Sequence, residues 1–487
     1  MTEKALVAVD LGGESCRVSL LRWQGGKPRL HLVHRFPNGP VLDGGRLYWN
    51  VDGIYDGVEK GIRLCAEIAT EGIASIGVDG WGVDYVRLQP DRKSWLRAFC
   101  YRDERTVAAE EEVHRKISRE RLYELTGIQF LRINTLYQLY ADFADGVDQR
   151  LSWLQIPEFL TYRLGGEPVC EFTNVTHSAL VGLKTHDWCD EVFQATGVDR
   201  KAAQKIVYPG YVAGRLKPDL AGLPALRDAQ LIVPACHDTA SAIAGIPDDG
   251  KDWAFISSGT WSLVGTVLDS PFATPQAREK NFTNLGGAGG KTCFLRNVNG
   301  MWLLRQCLDQ WKLDGIEIGI QELIEACAAL PAPDHLIHVD DPEFLLPGDL
   351  PSAINARRKA AGFAPIPTTR EGVIRMAGVV LHSLAERYKQ VLGDVTAITG
   401  KKLRRLYVVG GGGKNTLLNR LTEQKTGLQV VVGSPESSTV GNFAIQLASL
   451  RGGYAPAVGV DLGLLAKFAA ELVPCTFETG ADSPSIV

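Results

Sequence analysis

Two stretches of this 487-residue chain share one plan: a short apolar strand, a polar turn containing glycine, and a second apolar strand. The first opens the chain, with KALVAVD (4–10), the turn LGGESC, and the returning RVSLLRW (17–23). The second, WAFISSGTWSLVGTVL (253–268), begins halfway along. Few letters match, but the order of β-branched strand, glycine turn and strand does. A chain that starts its fold twice is expected to build two related halves, 1–245 and 246–487. The length supports this, because single cores stop growing at roughly 250–300 residues.

The pattern between these starts is α/β. After RLYWNV (46–51), Ile54, Val58, Ile62 and Cys65 recur at helical spacing, and IASIGVD (73–79) then reads as a buried strand. The second half predicts a helix through Met301, Leu304, Leu308 and Trp311, and a longer one through Val373, Ala377, Val380, Leu384 and Tyr388. LYVV (406–409) reads as a strand, GGGG (410–413) as a tight loop, and NTLLNRLTEQKTG as a helix with Asn415 as N-cap and Gly427 as its stop. LQVVVG (428–433) supplies another strand, and 101–190 reads as largely helical. No Pro/Ser-rich linker separates the halves, so the boundary near Gly245 follows from the repetition.

Composition narrows the function classes. A net charge of −4 and a pI near 6.2 give no broad positive field, so nucleic acid is not an expected partner. No apolar run reaches membrane-spanning length and the start carries no leader pattern, which predicts a cytoplasmic chain without a membrane contact. The ten cysteines form no CxxC pair, so they are expected to be reduced and mostly buried rather than paired or zinc-bound. HExxH and GxSxG are absent, which leaves metalloprotease and serine-hydrolase chemistry without support and phosphoryl transfer strongest. Oligomeric state is not legible.

Several residues have the chemistry for such a transfer, and each also has a plainer reading. Asp10 ends a strand and opens the GGESC turn, whose backbone N–H groups could meet phosphate while the carboxylate holds hydrated Mg²⁺; equally, Asp10 could satisfy its own turn. SSGTWS (257–262) offers hydroxyls and a glycine at the corresponding bend, or is simply a Ser/Thr-rich turn. GGGGKN (410–415) is neither a Walker A loop nor a dinucleotide fingerprint, since Asn415 stands where each needs another residue. It offers a surface without side chains for adenine and ribose, or a tight βα turn. ACHDTASAIAGIP (235–247) places Asp238 beside a helix of small residues, where it is either the base for a sugar hydroxyl or a helix cap with His237 structural. VDGWGVDY (78–85) offers Trp81 and carboxylates to a polyol, or is a turn on a core tryptophan; YRDERT (101–106) can be a solvated charged turn.

Taken in order, GVDGWGVDYV, YRDERT, GIQFLRINTLYQL (127–139), HDTASA, SSGTWSL and GGGGKNTLLNRL resemble the FGGY carbohydrate kinases from Ala8 to about Gly453. The resemblance implies an α/β fold of two actin-like (ribonuclease H-like) ATPase domains flanking a cleft, with ATP and Mg²⁺ as cofactors. It also implies phosphorylation of a ketose, L-rhamnulose at its 1-hydroxyl, in rhamnose breakdown. By that resemblance Gly13, Glu14, Ser15, Cys16 and Arg17 meet the ATP phosphates, Thr260 approaches them from the second domain, Gly411 lies at the adenosine end, and Asp10 is the Mg²⁺-side carboxylate. Sugar contacts fall to Gly82, His237, Asp238, Thr239 and Asn297, with Asp238 the proton acceptor; Asp84 joins them on its chemistry.

The chain departs from the family pattern in two places. Related phosphate turns carry small hydroxyl residues where Gly13 and Glu14 stand, and glycine where Cys16 stands. Arg305 occupies the place of an ATP-binding glutamine. Two rival readings are the same chemistry on fuculose, xylulose or another polyol, and a non-catalytic nucleotide switch or sugar sensor, against which the acid at 238 argues.

Overall fold

The computed structural model describes residues 4–248, 250–345, 348–475 and 477–479. The chain packs as two compact units, each discontinuous in sequence. The first comprises Met1–Asp249, Val267–Phe294 and Ser437–Val487; the second comprises Gly250–Thr266 and Leu295–Glu436. Relative to a division at Gly245, the segments 267–294 and 437–487 pack with the first unit.

The first unit is built on a seven-stranded sheet. Its order is Val212–Arg215, Gln230–Ile232, Ile73–Gly80, Ala5–Leu11, Ser15–Gln24, Lys27–Pro37 and Phe477–Thr479. Every residue of Ala5–Leu11 is buried, because helices cover both faces and the strand's alternation serves two cores. Val7, Val9 and Leu11 pack with Ile54, Val58, Ile62 and Cys65 of the helix Val51–Ile68. Leu6 and Ala8 pack with Phe443, Ala444 and Leu447 of the helix Ser437–Leu450.

That last helix also lies against Asp238–Ala244 at a distance only glycine permits. A Cβ on Gly441 would stand 1.8 Å from the Ser241 carbonyl oxygen, and one on Gly245 would stand 2.8 Å from that of Ser437. Two glycines thus bring the backbone that carries Asp238 onto the helix Ser437–Leu450.

In the second unit Trp253–Ser258 and Trp261–Leu268 form the expected antiparallel hairpin. Arg405–Val409 runs parallel to the first of these, and Gln429–Val432 parallel to Arg405–Val409. The first unit repeats this order, with the hairpin Ala5–Leu11/Ser15–Gln24 followed by parallel Ile73–Gly80 and Gln230–Ile232. The duplication read from two glycine turns therefore extends over four strands in each unit. The long helix Arg370–Thr399 starts at Thr369, whose hydroxyl caps the Gly372 N–H, and stops at Gly400 in the left-handed region. The Tyr388 hydroxyl lies 2.7 Å from that of Ser262 and ties the helix to the hairpin.

Helix makes up less of 101–190 than the periodicity predicts. Helices Thr106–Lys116, Arg119–Thr126, Thr135–Ala144 and Ile156–Leu164 are separated by irregular chain and by the strand Trp153–Gln155. Buried acids organise the chain there: Glu158 accepts the N–H of Glu171, and Glu171 caps the short helix Phe172–Val175 through the N–H groups of Thr173 and Asn174. All ten cysteines are free and eight are buried, as expected. Among the described residues no helix is long and apolar enough to cross a membrane.

Candidate active site

Three carboxylates gather at the end of the first sheet. Strand register sets Asp10 opposite Asp79 and Arg17. Asp10 Oδ2 accepts from Arg17 Nη1 at 3.0 Å and from the Ser438 hydroxyl at 2.9 Å. Asp79 is fully buried; its Oδ2 accepts from Asn442 Nδ2 at 2.6 Å, while Oδ1 has no hydrogen-bond partner among the described residues. Burial pushes Asp79 well above the usual carboxylate range, and the charges of Asp10 and Asp238 push it further.

Asp238 is the first residue of its helix, and His237 takes the cap position without a side-chain capping bond. The cap reading of Asp238 thus fails by one residue. Its Oδ1 instead accepts from the Thr239 N–H at 2.5 Å and the Thr239 hydroxyl at 3.2 Å, and lies 3.5 Å from His237 Nε2. The side chain stays 37% exposed, in a recess deep enough that desolvation first and Asp10 second push it up to about 7. A carboxyl poised there is matched to accept a proton near neutral pH.

The turn after Asp10 is held by residues the sequence did not single out. Asn38 donates its side-chain N–H to the Gly12 carbonyl at 2.9 Å and its backbone N–H to that of Glu14 at 2.9 Å. Gly13 has open space where a Cβ would stand, and Glu14 is exposed, with its charge felt by Arg102 of the YRDERT segment. Ser15 Oγ accepts from Arg35. Cys16 points its thiol into the core, where burial raises it to about 12, so only its backbone can face a ligand. Arg17 is committed to Asp10.

GVDGWGVDY forms a strained corner. Val83 has φ +70°, a conformation that costs a β-branched residue about 1–3 kcal/mol. Its carbonyl is held by the Thr135 hydroxyl at 2.8 Å and Gln138 Nε2 at 3.3 Å, both from the 127–139 motif. Asp84, expected to touch sugar, has no open surface. Its carboxylate accepts from Trp49 Nε1 at 2.5 Å, Trp81 Nε1 at 3.1 Å, Gln138 Nε2 at 3.0 Å and the Tyr101 N–H at 3.2 Å. It fixes two tryptophans instead, and burial raises it to about 6. Gly82 is packed so closely that a Cβ would lie 3.1 Å from Asn174 Oδ1 and 3.2 Å from His177 Nδ1.

Sequence reasoning passed over the segment 171–178, EFTNVTHS. Buried Glu171 accepts the N–H groups of Thr173, Asn174 and Cys236 and the Thr173 hydroxyl. One carboxylate therefore joins this segment to the residue before His237, and the His177 and His237 rings lie 4.1 Å apart. Its only signal was a density of polar residues between apolar runs.

The second unit carries the other expected residues. Thr260 sits exposed at the hairpin tip, and its carbonyl accepts the Trp302 N–H at 3.2 Å. Gly412 lies against Ser258, whose Oγ would be 2.0 Å from an added Cβ, whereas Gly411 has nothing within 4 Å. Asn415 caps the following helix through the Leu418 N–H, and Gly427 closes it at φ +69°. Asn297 is half-buried on the strand Thr292–Asn299. Arg305 is exposed and paired at 3.2 Å with Asp309 on its own helix.

Comparison with known proteins places this geometry. The model of the FGGY carbohydrate kinase N-terminal domain matches residues 5–245 and that of the C-terminal domain residues 254–450. The chain is 36% identical over 442 residues to a rhamnulokinase of Bacteroides thetaiotaomicron, covering 90% of this chain and 89% of the relative. It is 37% identical over 457 residues to one of Pectobacterium carotovorum, covering 92% and 89%. Among solved structures, a ligand-bound xylulose kinase from Lactobacillus acidophilus superposes with a TM-score of 0.76 at 17% identity, covering 96% of this chain and 92% of that one. Plasmodium falciparum glycerol kinase with ADP gives 0.73 at 14% identity, covering 96% and 92%. With both domain models matched and relatives above one-third identity along nine-tenths of its length, the chain belongs to the FGGY family of carbohydrate kinases, enzymes that transfer a phosphoryl group from ATP to a sugar.

Proposed function

We propose that this kinase phosphorylates L-rhamnulose on its 1-hydroxyl, giving L-rhamnulose 1-phosphate and ADP in the cytoplasm, with Asp238 as the base. The observation that carries the base is its environment: a carboxyl open to solvent on one side, raised to about 7, and anchored by Thr239. The identity to two rhamnulokinases supports the sugar. Asp238 takes the proton of the 1-hydroxyl as its oxygen attacks the γ-phosphorus in line, which contributes about 10²–10⁴-fold to the rate. Gly82, His237, Thr239 and Asn297 bind the sugar, and Asp84 acts through the tryptophans it holds. The Gly13–Arg17 turn and Thr260 bind phosphates with backbone N–H groups and hydroxyls, and Gly411 lies by the adenosine. Arg305 reaches ATP with its Nη groups, its Nε being held by Asp309.

Among the described residues no three His, Cys, Asp or Glu side chains group tightly enough to hold a metal directly. The donor set fits a hydrated Mg²⁺ held through water by Asp10, whose Oδ2 already serves Arg17 and Ser438. Bound there with ATP, the ion supplies charge neutralisation to the phosphates. We further propose 1–245 as the half with the sugar site, first phosphate turn and base, and 246–487 as the half with the second phosphate turn and adenosine site.

An ADP-release assay over L-rhamnulose, fuculose and xylulose tests the substrate. The highest kcat/KM is expected with L-rhamnulose; preference for fuculose would overturn that assignment and leave the kinase reading in place.

A further inference from the structure

We propose that Asn174 and His177 form a hydroxyl-reading wall of the sugar site, which selects uncharged polyhydroxy substrates over sugar acids. The inference rests on the reading above that Gly82 and His237 face the sugar. Neither Asn174 nor His177 belongs to the residues that the family motifs supply.

Three observations converge. Asn174 is fully buried, and its Nδ2 donates to Glu158 Oε2 at 2.9 Å, which turns Oδ1 the other way. That oxygen has no partner among the described residues and lies 3.1 Å from the point where Gly82 would carry a Cβ. His177 Nε2 is likewise inaccessible and unpartnered, its Nδ1 lies 3.2 Å from the same point, and its ring stands 4.1 Å from that of His237. Two unmet polar atoms beside one glycine and one proposed sugar contact are what a site shaped for ligand hydroxyls leaves behind in the unliganded protein.

The chemistry of the pair defines the ligand. An amide oxygen only accepts, so it takes an O–H. Burial holds the His177 imidazole neutral, pushing it down to about 4, so it offers one donor and one acceptor. No positive charge is presented, and Asn174 gives its two N–H groups to the buried side chains of Glu158 and Glu171. A substrate carboxylate at this wall would meet an acceptor with no cation beside it, whereas a hydroxyl is matched. The Asn174 backbone is held to the residue before His237, since Glu171 binds the Asn174 N–H and the Cys236 N–H together.

Steady-state kinetics on the full-length enzyme test this, using the neutral ketose or polyol that the wild type turns over best, with gluconate as the acidic probe. His177→Phe keeps a ring and removes both nitrogens. It is expected to raise the sugar KM at least tenfold and leave the ATP KM within twofold, and His177→Gln is expected to recover most of the loss. Gluconate should be turned over at under a hundredth of the neutral rate. A folded His177→Phe enzyme with sugar KM within twofold of wild type overturns the inference, and so does comparable turnover of gluconate. If His177→Phe does not fold, the nitrogen resonance of His177 Nε2 in histidine-labelled wild type decides: it should shift on adding the sugar alone, and an unmoved resonance overturns the wall. A wild type that prefers another neutral ketose to L-rhamnulose overturns only the substrate assignment.

Discussion

Asn442 gives its side-chain N–H to Asp79 across 2.6 Å, although 363 positions of sequence separate them. Asn442 in turn accepts from Gln446 Nε2 at 2.7 Å, and Gln446 reaches the Val7 carbonyl at 3.0 Å and the Ser75 hydroxyl at 2.7 Å. This row of amides fastens the helix Ser437–Leu450 to the strands that carry Asp10 and Asp79. Asn442→Leu leaves a Asp79 oxygen buried without its donor, a loss of about 1–3 kcal/mol. The urea midpoint of the variant should fall accordingly, and an unchanged midpoint would show that the row contributes no stability.

Replacing Asp238 by Asn preserves shape and removes the proton acceptor. Its kcat should drop by about 10²–10⁴-fold, while ATP binding measured by calorimetry stays within about twofold. Near-normal turnover would remove Asp238 from the mechanism.

Activity and stability should respond to pH in opposite directions. Asp238 must be ionised to act, and it titrates at about 7, so kcat/KM for the sugar should fall about tenfold per unit below that pH. Asp84, Glu158 and Glu171 are raised by burial to about 6, 7 and 8. Their folded pKa values lie above the unfolded ones of roughly 4, so the folded state binds more protons between these limits. Their contribution to stability is fully present below about pH 4 and is lost as pH rises through 6 to 8. Across pH 5.5–8.5 the melting temperature should decline while kcat/KM climbs; a melting temperature that climbs with it would mean these three acids ionise freely in the fold.

Adjacent glycines of the second-unit loop make a controlled pair. A Cβ at Gly412 would fall 2.0 Å from Ser258 Oγ and force the loop to move, whereas one at Gly411 meets nothing within 4 Å. Gly412→Ala should raise the ATP KM by about tenfold or more, and Gly411→Ala by about threefold or less. Equal effects in both would separate the loop's packing from nucleotide binding.

Sequence made visible what neighbouring residues determine. Alternating and helical apolar spacing gave the two hairpins and their parallel companions, and Asn415 and Gly427 marked both ends of one helix because caps act within a few residues. The setting of Asp84 was hidden because its donors come from Trp49, Tyr101 and Gln138, whose convergence only the folded chain shows. His177 went unnoticed since a lone imidazole among polar residues carries no periodic signal. Asp238 was open to two readings, base or helix cap, and the folded helix gives the cap position to His237.

The helix Ser437–Leu450 closes one face of a sheet whose first strand begins at Ala5. During synthesis, residues up to Asp249 emerge while that face still lacks its cover. At roughly 5–20 residues per second, the ribosome needs about ten to forty seconds more to deliver the helix. Leu6, Ala8 and Leu21 lack their partners from that helix for the interval. A helix from the far half of the sequence is thus the one that lets the first strand become native.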